Sequence, residues 1–449
     1  MAAFDVIVVG AGTAGCLAAK TLVQHGLKVS LIDRKPKEKI GDKVCGDGVG
    51  KHHFDSLGLK YPSGDELAGR IVGIDVYSPD KETVFRVAGG GVEGFTINRY
   101  EFGQRLLNEA LDQGVDFSDN MMALEPIVEG NFVRGILVKD SKRDQSFKIY
   151  SKVTVEASGF AAALRQKLPS AWGLETVNRE DTILCYREIR KIQTEIDPNY
   201  CIIYLDQEMA PGGYTWIFPK GPDKVNVGLG IQMSGAYPSP KELLYAHVLS
   251  QPLFKGSKIL TGGGGIVPTR RPLDCLVANG IMLTGDAACL VNPIHGGGMG
   301  PSMMSGKLAA EMAVRAIEKG DVSRRGLWQY NVDYMQNYGA KQAGLDIFRI
   351  FLQELSNEEI NFGMKHQLIT REDVLKTSLK GELKLRIADK TMRVIRGFRR
   401  LGFLNQLKFT ADMMKELKKL HQQYPEPEGF ENWRREVRQV YVKMRERLV

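Results

Sequence analysis

The chain has 449 residues, of which 43% are hydrophobic, 25% charged and 8% aromatic, a composition that excludes extended disorder. Because single domains usually span about 100–200 residues, we expect two or three domains. The formal charge of +8 raises the question of an anionic partner, while the lack of a run of about 18 apolar residues and of a basic N-terminal segment excludes a membrane span and a secretory signal and predicts a cytoplasmic protein.

The N-terminal residues predict a strand–helix–strand unit. Residues 4–9 are short, apolar and β-branched, and residues 14–26 are small and apolar at helical spacing. Residues 27–33 resemble the first strand. Such a unit is the basic element of a parallel sheet with helices packed on it.

The turn between this first strand and its helix carries a glycine motif, Gly10-Ala11-Gly12-Thr13-Ala14-Gly15. Its first glycine permits the turn, its second lets a pyrophosphate approach the backbone, and its third allows close helix–sheet packing. Asp33 ends the second strand, where a carboxylate accepts hydrogen bonds from ribose hydroxyls. The unit therefore predicts a dinucleotide site, with these cofactor-contacting residues: Gly10, Gly12, Ala14, Gly15, Asp33 and Arg34.

The rest of the chain divides by its hydrophobic pattern. Residues 99–113 predict another helix, and residues 153–157 and 280–283 predict short buried strands. Between residues 170 and 260 alternating segments predict an antiparallel sheet, with a minor part near residues 70–95. From about residue 306 onward the sequence becomes helical and poor in glycine.

The positive charge is concentrated at the C-terminal end. Residues 365–449 contain 21 lysines and arginines against 11 acidic residues, whereas the preceding residues contain 40 basic and 42 acidic ones. The most basic stretch, from Leu383 to Phe409, interleaves its bases with apolar residues: Leu385, Ile387, Met392, Ile395 and Leu401. This pattern argues against nucleic acid and leaves two alternatives, a peripheral contact with an anionic membrane at its inner face or a solvated helix face.

The six cysteines, at positions 16, 45, 185, 201, 275 and 289, form no CxxC pair. Neither zinc nor a disulfide scaffold is indicated, and a reducing cytosol is the expected compartment. The sequence has no metal-hydrolase, Walker or serine-hydrolase motif, so we expect no metal site. Except for Cys45, we expect the cysteines to be core residues.

A second glycine cluster follows the predicted strand at residues 280–283. Gly285-Asp286 ends that strand, and Asn292 to Gly300 contain Gly296, Gly297 and Gly298 before a predicted helix start. An aspartate there can bind the ribityl chain of a flavin nucleotide, and free amides at a helix start can stabilise a negative charge on the flavin. With Asn98-Arg99 heading another helix, this pair of motifs resembles the FAD-dependent oxidoreductases of the p-hydroxybenzoate hydroxylase superfamily.

This resemblance covers roughly the first 330 residues and implies an α/β (α+β) fold. In it, a Rossmann-like FAD-binding domain (1–70, 96–168 and 262–330) carries an inserted antiparallel-sheet substrate domain (71–95 and 169–261). A helical, basic C-terminal domain (331–449) follows. The resemblance also implies FAD contacts at Arg99, Ala123, Asp286, Gly297, Gly298 and Met299; a solvated surface arginine is the alternative for Arg99.

A narrower resemblance lies in Pro211-Gly212-Gly213-Tyr214-Thr215-Trp216-Ile217-Phe218-Pro219, which matches the P-x-x-Y-x-W-x-F-P pattern of geranylgeranyl reductases. Alternation on a strand places Tyr214, Trp216 and Phe218 on one face, where they can form an apolar wall beside a hydrocarbon substrate. An aromatic stripe buried in the core is the alternative.

The loop Lys43-Val44-Cys45-Gly46-Asp47-Gly48 strengthens this resemblance, which implies flavin contacts at Cys45, Gly46 and Gly48. Cys45 is also the candidate catalytic residue, because a neutral thiol in an apolar pocket can protonate the substrate after hydride transfer. A buried, inert cysteine is the alternative.

The family resemblance implies reduction of isoprenoid C=C bonds in polyprenyl diphosphates or archaeal ether lipids, with reduced FAD as hydride donor. No separate nicotinamide motif is present, so reduced ferredoxin and NAD(P)H both stay open as the electron donor. Two other classes of function also stay open. One is an FAD-dependent monooxygenase or halogenase of an apolar substrate, and the other is a non-enzymatic prenyl-binding relative.

Overall fold

The structure is a computed structural model that describes residues 3–383 and 401–448. The basic stretch predicted from Leu383 to Phe409 therefore falls largely outside the described residues, including Leu385, Ile387, Met392 and Ile395. Leu401 lies in a described helix, but its side chain is not described.

The described residues form eleven α-helices. The helices are α1 (Thr13–Gln24), α2 (Lys51–Leu57), α3 (Arg99–Leu111), α4 (Pro240–Leu243), α5 (Met299–Glu318), α6 (Gln329–Tyr334), α7 (Ala340–Gln353), α8 (Asn357–Lys365), α9 (Arg371–Lys380), α10 (Leu401–Gln422) and α11 (Phe430–Leu448).

They also form eighteen strands. The strands are β1 (Phe4–Val9), β2 (Val29–Ile32), β3 (Gly48–Gly50), β4 (Leu67–Ile71), β5 (Gly73–Tyr77), β6 (Val84–Ala88), β7 (Gly94–Ile97), β8 (Asp116–Ser118), β9 (Met121–Glu129), β10 (Phe132–Asp140), β11 (Gln145–Glu156), β12 (Ile183–Lys191), β13 (Tyr200–Tyr204), β14 (Tyr214–Pro219), β15 (Lys224–Gln232), β16 (Lys258–Val267), β17 (Val277–Ala278) and β18 (Ile281–Leu283).

The first sheet is parallel at its centre. Its strands follow the order β17-β18-β11-β1-β2-β8, and β1 pairs in parallel with both β2 and β11. Val6 to Val9 are buried because β1 is covered on both faces, which explains its continuous apolar run. The sequence predicted β1, β2, the end of β11, β18 and the helices α1 and α3, and the structure confirms the mixed α/β fold. The predicted ends differ by at most two residues, except that β11 begins eight residues earlier than predicted.

The second sheet is mainly antiparallel, in the order β16-β12-β15-β14-β13-β5-β6. Its back face, which includes Ile217, Val227 and Leu229, packs on Leu244 and Val248 in a hydrophobic cluster of its own. Because side chains alternate along a strand, the front face is free to carry a different set of residues, and Tyr214, Trp216 and Phe218 lie there. The proposed domain boundaries stay a prediction.

The C-terminal helices pack onto this body. A hydrophobic cluster runs without a break from Val6 in β1 to Met444 in α11. Phe351 in α7 is fully buried and packs against Phe403 in α10, with ring centroids 5.9 Å apart. Within the described ranges, no helix combines the length and apolar character needed to cross a bilayer.

Candidate active site

The first glycine loop leaves space at the start of α1. Gly10 has φ +104° and an added Cβ would lie 2.5 Å from the Ala157 carbonyl oxygen, while a Cβ on Gly15 would lie 1.8 Å from the Gly10 oxygen. Both positions therefore require glycine. At Gly12, the N-cap of α1, a Cβ would meet nothing within 4 Å, and no side chain caps the helix. The amides at this helix start are accessible to an anionic ligand.

The predicted acid lies beside this loop. Asp33 accepts hydrogen bonds from the Ala11 amide through Oδ2 (2.7 Å) and from the Lys35 amide through Oδ1 (2.8 Å). These bonds fix the carboxylate next to the glycine loop, with lone pairs left for ribose hydroxyls. Arg34 is exposed at the same edge of the sheet.

Arg99 provides the clearest sign of a missing partner. It is 8% exposed at the first position of α3, and neither its Nε nor its Nη1 has a hydrogen-bond partner among the residues that the structure describes. A buried guanidinium without an acceptor is costly, so its environment fits a ligand that supplies phosphate oxygens. Burial raises the pKa of the Cys16 thiol, on which the charges of Asp33 and Arg99 also act, so both groups lie near the start of α1.

Ala14 and Ala123 are two further residues that the sequence predicts to contact the cofactor. Ala14 lies where α1 crosses α5: a Cβ on Gly306 would lie 2.2 Å from the Ala14 carbonyl oxygen. Ala123 is half-buried on β9, in register with Val138 of β10. The contact of Ala14 and Ala123 with the cofactor stays a prediction.

The second glycine loop precedes α5 and follows Gly285, where a Cβ would lie 3.6 Å from Ala14 Cβ of the first loop. Asp286 follows β18 and forms an ion pair with Lys43 (Oδ2 to Nζ, 3.0 Å). A Cβ on Gly298 would lie 3.2 Å from Asp286 Oδ1, so glycine allows this approach. Helix α5 begins at Met299 without a side-chain cap, and the adjacent Gly297 amide donates to Nδ1 of His295 (3.1 Å). Asp286, Gly298 and Met299 therefore lie together at an uncapped helix start, as predicted.

The aromatic strand β14 contacts the second glycine loop at one end and the loop that carries Cys45 at the other. Ring centroids of Tyr214 and Trp216 are 5.9 Å apart and those of Trp216 and Phe218 6.3 Å apart, which confirms the predicted wall on one face. At one end the Tyr214 hydroxyl donates to the His295 carbonyl oxygen (2.7 Å). At the other, a Cβ on Gly46 would lie 3.3 Å from Phe218 Cε2. The wall is thus in contact with two of the three loops that the sequence assigned to the cofactor, the second glycine loop and the loop that carries Cys45.

A buried polar network beneath the wall was missed from the sequence. Asn226 on β15 is fully buried, accepts from Trp216 Nε1 (2.9 Å) and donates to the Cys45 carbonyl oxygen (2.8 Å). It also donates to Asp47 Oδ2 (3.0 Å), which in turn accepts from Lys220 Nζ (2.8 Å). The network fixes the indole and the Cys45 loop relative to each other. An asparagine within the apolar run of β15 is the sequence signal that could have revealed it.

The Cys45 thiol lies among groups that hold their protons. Burial and the neighbouring Cys45 raise the pKa of Cys185 to about 12. Burial also raises the pKa of the Tyr214 hydroxyl, with smaller contributions from both cysteines. Cys185, expected in the core, lies instead on the site face, in the cross-strand row that holds Gly230 and Tyr214. The expectation was wrong because the position of Cys185 depends on the pairing of β12 with β15, and the sequence does not show that pairing.

Comparison with known proteins shows which families the chain is similar to. The family described as "Geranylgeranyl reductase catalytic domain" matches residues 181–267, and "Glucose inhibited division protein A" matches residues 5–60. The digeranylgeranylglycerophospholipid reductase of Sulfolobus acidocaldarius is 47% identical over 99% of both chains. The reductase of the same name from Methanothrix thermoacetophila is 33% identical over 85% of this chain and 95% of its own.

Solved structures show the same fold. A geranylgeranyl bacteriochlorophyll reductase-like protein from Thermoplasma acidophilum superposes with a TM-score of 0.77, at 24% identity over 91% of this chain and 99% of its own. A flavin-dependent brominase superposes with a TM-score of 0.62, at 19% identity over 89% of this chain and 99% of its own. From the full-length identity with the curated reductases, the chain belongs to the digeranylgeranylglycerophospholipid reductase family.

Proposed function

We propose that the protein is an FAD-dependent reductase that hydrogenates the isoprenoid C=C bonds of geranylgeranyl chains carried by diphosphates or ether lipids. The observation that carries the proposal is the contact of the Tyr214–Phe218 wall with the second glycine loop and with the loop that carries Cys45. A hydrocarbon lying on that wall adjoins the cofactor site. Membership of the reductase family supports the same conclusion.

The chain's residues fit FAD. The open amides at Gly12 and the unpartnered Arg99 would hold its pyrophosphate, Asp33 its ribose, and Asp286 its ribityl chain. The start of α5 at Met299 would face the flavin ring. When bound and reduced, FAD supplies the hydride for the reduction.

The remaining work of the site is positioning, exclusion of water and proton supply. The aromatic wall orients the prenyl chain, and the network at Asn226 prevents the wall from shifting relative to the Cys45 loop. We assign the proton to Cys45 Sγ: it adds to one alkene carbon as hydride adds to its neighbour. The thiolate that forms is then reprotonated from water after the product leaves.

The basic C-terminal region is proposed to contact an anionic membrane surface. Helix α11 buries Trp433, Val437, Val440 and Met444 in the body of the protein and turns its bases outward, apart from Arg434. Its apolar side is therefore not available to lipid, and the contact would be electrostatic. This arrangement would bring the enzyme to substrates that reside in a bilayer.

The function is tested by anaerobic incubation of the dithionite-reduced holoprotein with geranylgeranyl diphosphate and with a digeranylgeranylglycerol phospholipid, followed by product masses. We expect products that gain one H2 for each double bond reduced. Products that instead carry oxygen or halogen, formed only in the presence of O2, would establish the monooxygenase or halogenase alternative. A colourless protein that takes up no FAD would support the non-enzymatic alternative.

Trp216→Ala tests the assignment of the wall to substrate. The indole is 6% exposed and its loss leaves the wall without its central ring, so we expect a clearly lower rate on geranylgeranyl chains with FAD content unchanged. The measurements are the steady-state rate and the flavin absorbance of the purified variant. Trp172→Ala, whose indole donates to Asn131 instead, is the matched control. Loss of FAD as the main effect would contradict the assignment.

A further inference from the structure

Arg187 is a buried arginine without a counter-charge among the described residues. Arg187 on β12 is 9% exposed, and among the described residues its side chain forms one hydrogen bond, from Nη1 to Thr261 Oγ1 (2.9 Å). Its Nε is buried without a partner, and no residue in the described ranges forms an ion pair with it. Burying a guanidinium without a counter-charge is costly, so this environment calls for an anion.

The position of Arg187 relates it to the aromatic wall. In the sheet register Arg187 is opposite Gly228 of β15, which is opposite Trp216 of β14, so the three residues share one face. Neighbouring strands lie about 4.8 Å apart, which places the arginine backbone roughly 10 Å from that of the tryptophan. An apolar surface and an unpaired cation thus lie side by side on one sheet.

Glycines leave the sheet surface without side chains between Trp216 and Arg187 and on the far side of Arg187. Gly228 separates the two side chains: a Cβ there would lie 2.5 Å from Trp216 Cζ2 and 2.6 Å from Arg187 Cβ. On the far side of Arg187 stands Gly263 of β16, where a Cβ would lie 2.8 Å from Val44 Cγ2. The cross-strand row that holds Arg187 therefore reaches the loop that carries Cys45, on the site side of the sheet.

We propose that Arg187 is the binding residue for the phosphate or diphosphate at the end of the prenyl substrate. The planar guanidinium matches phosphate oxygens in a two-pronged hydrogen bond, and the orphaned Nε supplies one of its donors. The hydrocarbon would lie on the aromatic wall with its charged end on Arg187. This inference rests on the proposed function for the identity of the ligand, and the shared chemistry of diphosphate and phospholipid substrates is the phosphate group.

The first test compares charged and uncharged substrates on the reduced holoprotein. For Arg187→Gln we expect KM to rise about tenfold or more with geranylgeranyl diphosphate and with a digeranylgeranylglycerol phospholipid, and kcat/KM for geranylgeraniol to stay unchanged. A rise with only one phosphorylated substrate would identify the source of the phosphate. Arg187→Lys should restore part of the loss. Equal losses with geranylgeraniol, or loss of FAD, would overturn the proposal.

The second test does not depend on turnover. Inorganic diphosphate, titrated calorimetrically into the FAD-loaded protein, should bind about tenfold more weakly to Arg187→Gln than to the native chain. Lys191→Gln, on the same strand but paired at the surface with Asp223, is the matched control and should bind as the native chain does. Equal binding by all three proteins would refute the anion site. Arg187-dependent binding without any prenyl reduction would refute the proposed function alone.

Discussion

Gly12 and Gly15 lie three residues apart in one loop, yet the space around them differs. A Cβ on Gly12 would enter open space, whereas one on Gly15 would collide with the Gly10 carbonyl oxygen at 1.8 Å. Glycine at position 15 is therefore required by the fold, whereas glycine at position 12 is assigned to the predicted cofactor contact. This difference separates two effects that mutations of a glycine motif usually combine.

Gly12→Ala is expected to leave the thermal unfolding of the FAD-free protein unchanged and to weaken FAD binding, because the methyl group occupies the approach of the pyrophosphate. Gly15→Ala is expected to destabilise the FAD-free protein by about 1–3 kcal/mol, because the loop must shift. Calorimetric FAD titration and thermal unfolding measure the two quantities. Unchanged FAD affinity in Gly12→Ala would contradict the assigned site.

Cys45→Ala tests whether the Cys45 thiol supplies the proton that adds to the alkene. General acid groups contribute at least about 100-fold to rate, so we expect kcat to fall by about that factor with FAD content and KM retained. Anaerobic single-turnover rates give this comparison. Cys275→Ala, at a cysteine buried in the large hydrophobic cluster, serves as the control. A Cys45→Ala protein that retains nearly full kcat would show that the proton comes from another group.

At the scale of elements, a buried ion cluster connects the C-terminal helices to the body. Glu175 accepts from Arg270 Nη2 (3.0 Å) and Arg271 Nη2 (3.1 Å), and Arg271 pairs with Asp274 (2.6 Å). Arg434 of α11 also pairs with Asp274 (3.2 Å), so the cluster reaches from the loop before β12 to the last helix. Breaking such a cluster leaves buried charge without compensation.

Glu175→Gln is expected to lower the free energy of unfolding by about 3–5 kcal/mol, whereas Glu180→Gln, at an exposed carboxylate, should have little effect. The adjacent arginines hold the pKa of Glu175 well below its usual 4.5. The stability it contributes is thus complete above that pH and is lost as the pH falls below it. Unfolding curves at neutral and acid pH test both statements; equal acid sensitivity in wild type and Glu175→Gln would refute the second.

The sequence predicted those parts of the molecule that depend on local pattern. Strand β1, helix α1 and the Tyr214–Phe218 face each follow from the period of a short segment. The position of Cys185 in the site and the partners of Asn226 depend on the pairing of β12 and β15 and on a contact with the Cys45 loop, which no local pattern encodes. Arg187 was missed for the same reason: its isolation from carboxylates is visible only in three dimensions.

At the scale of the whole molecule, the basic C-terminal region predicts salt-sensitive binding to anionic vesicles. Each base near such a surface contributes about 1 kcal/mol, and the outward bases of α11 include Arg435 and Arg438. Replacing both by glutamate should weaken co-sedimentation with anionic vesicles by about tenfold or more, with no binding to neutral vesicles in either protein. Binding that ignores lipid charge and salt would refute the electrostatic contact.

The central claim is that FAD on this protein reduces prenyl double bonds without oxygen. Its most direct test is anaerobic stopped-flow mixing of the reduced holoprotein with geranylgeranyl diphosphate while flavin absorbance is followed. We predict reappearance of the oxidised flavin spectrum at a rate that depends on substrate concentration, with one double bond saturated per flavin oxidised. A flavin that stays reduced until oxygen is admitted would contradict the account.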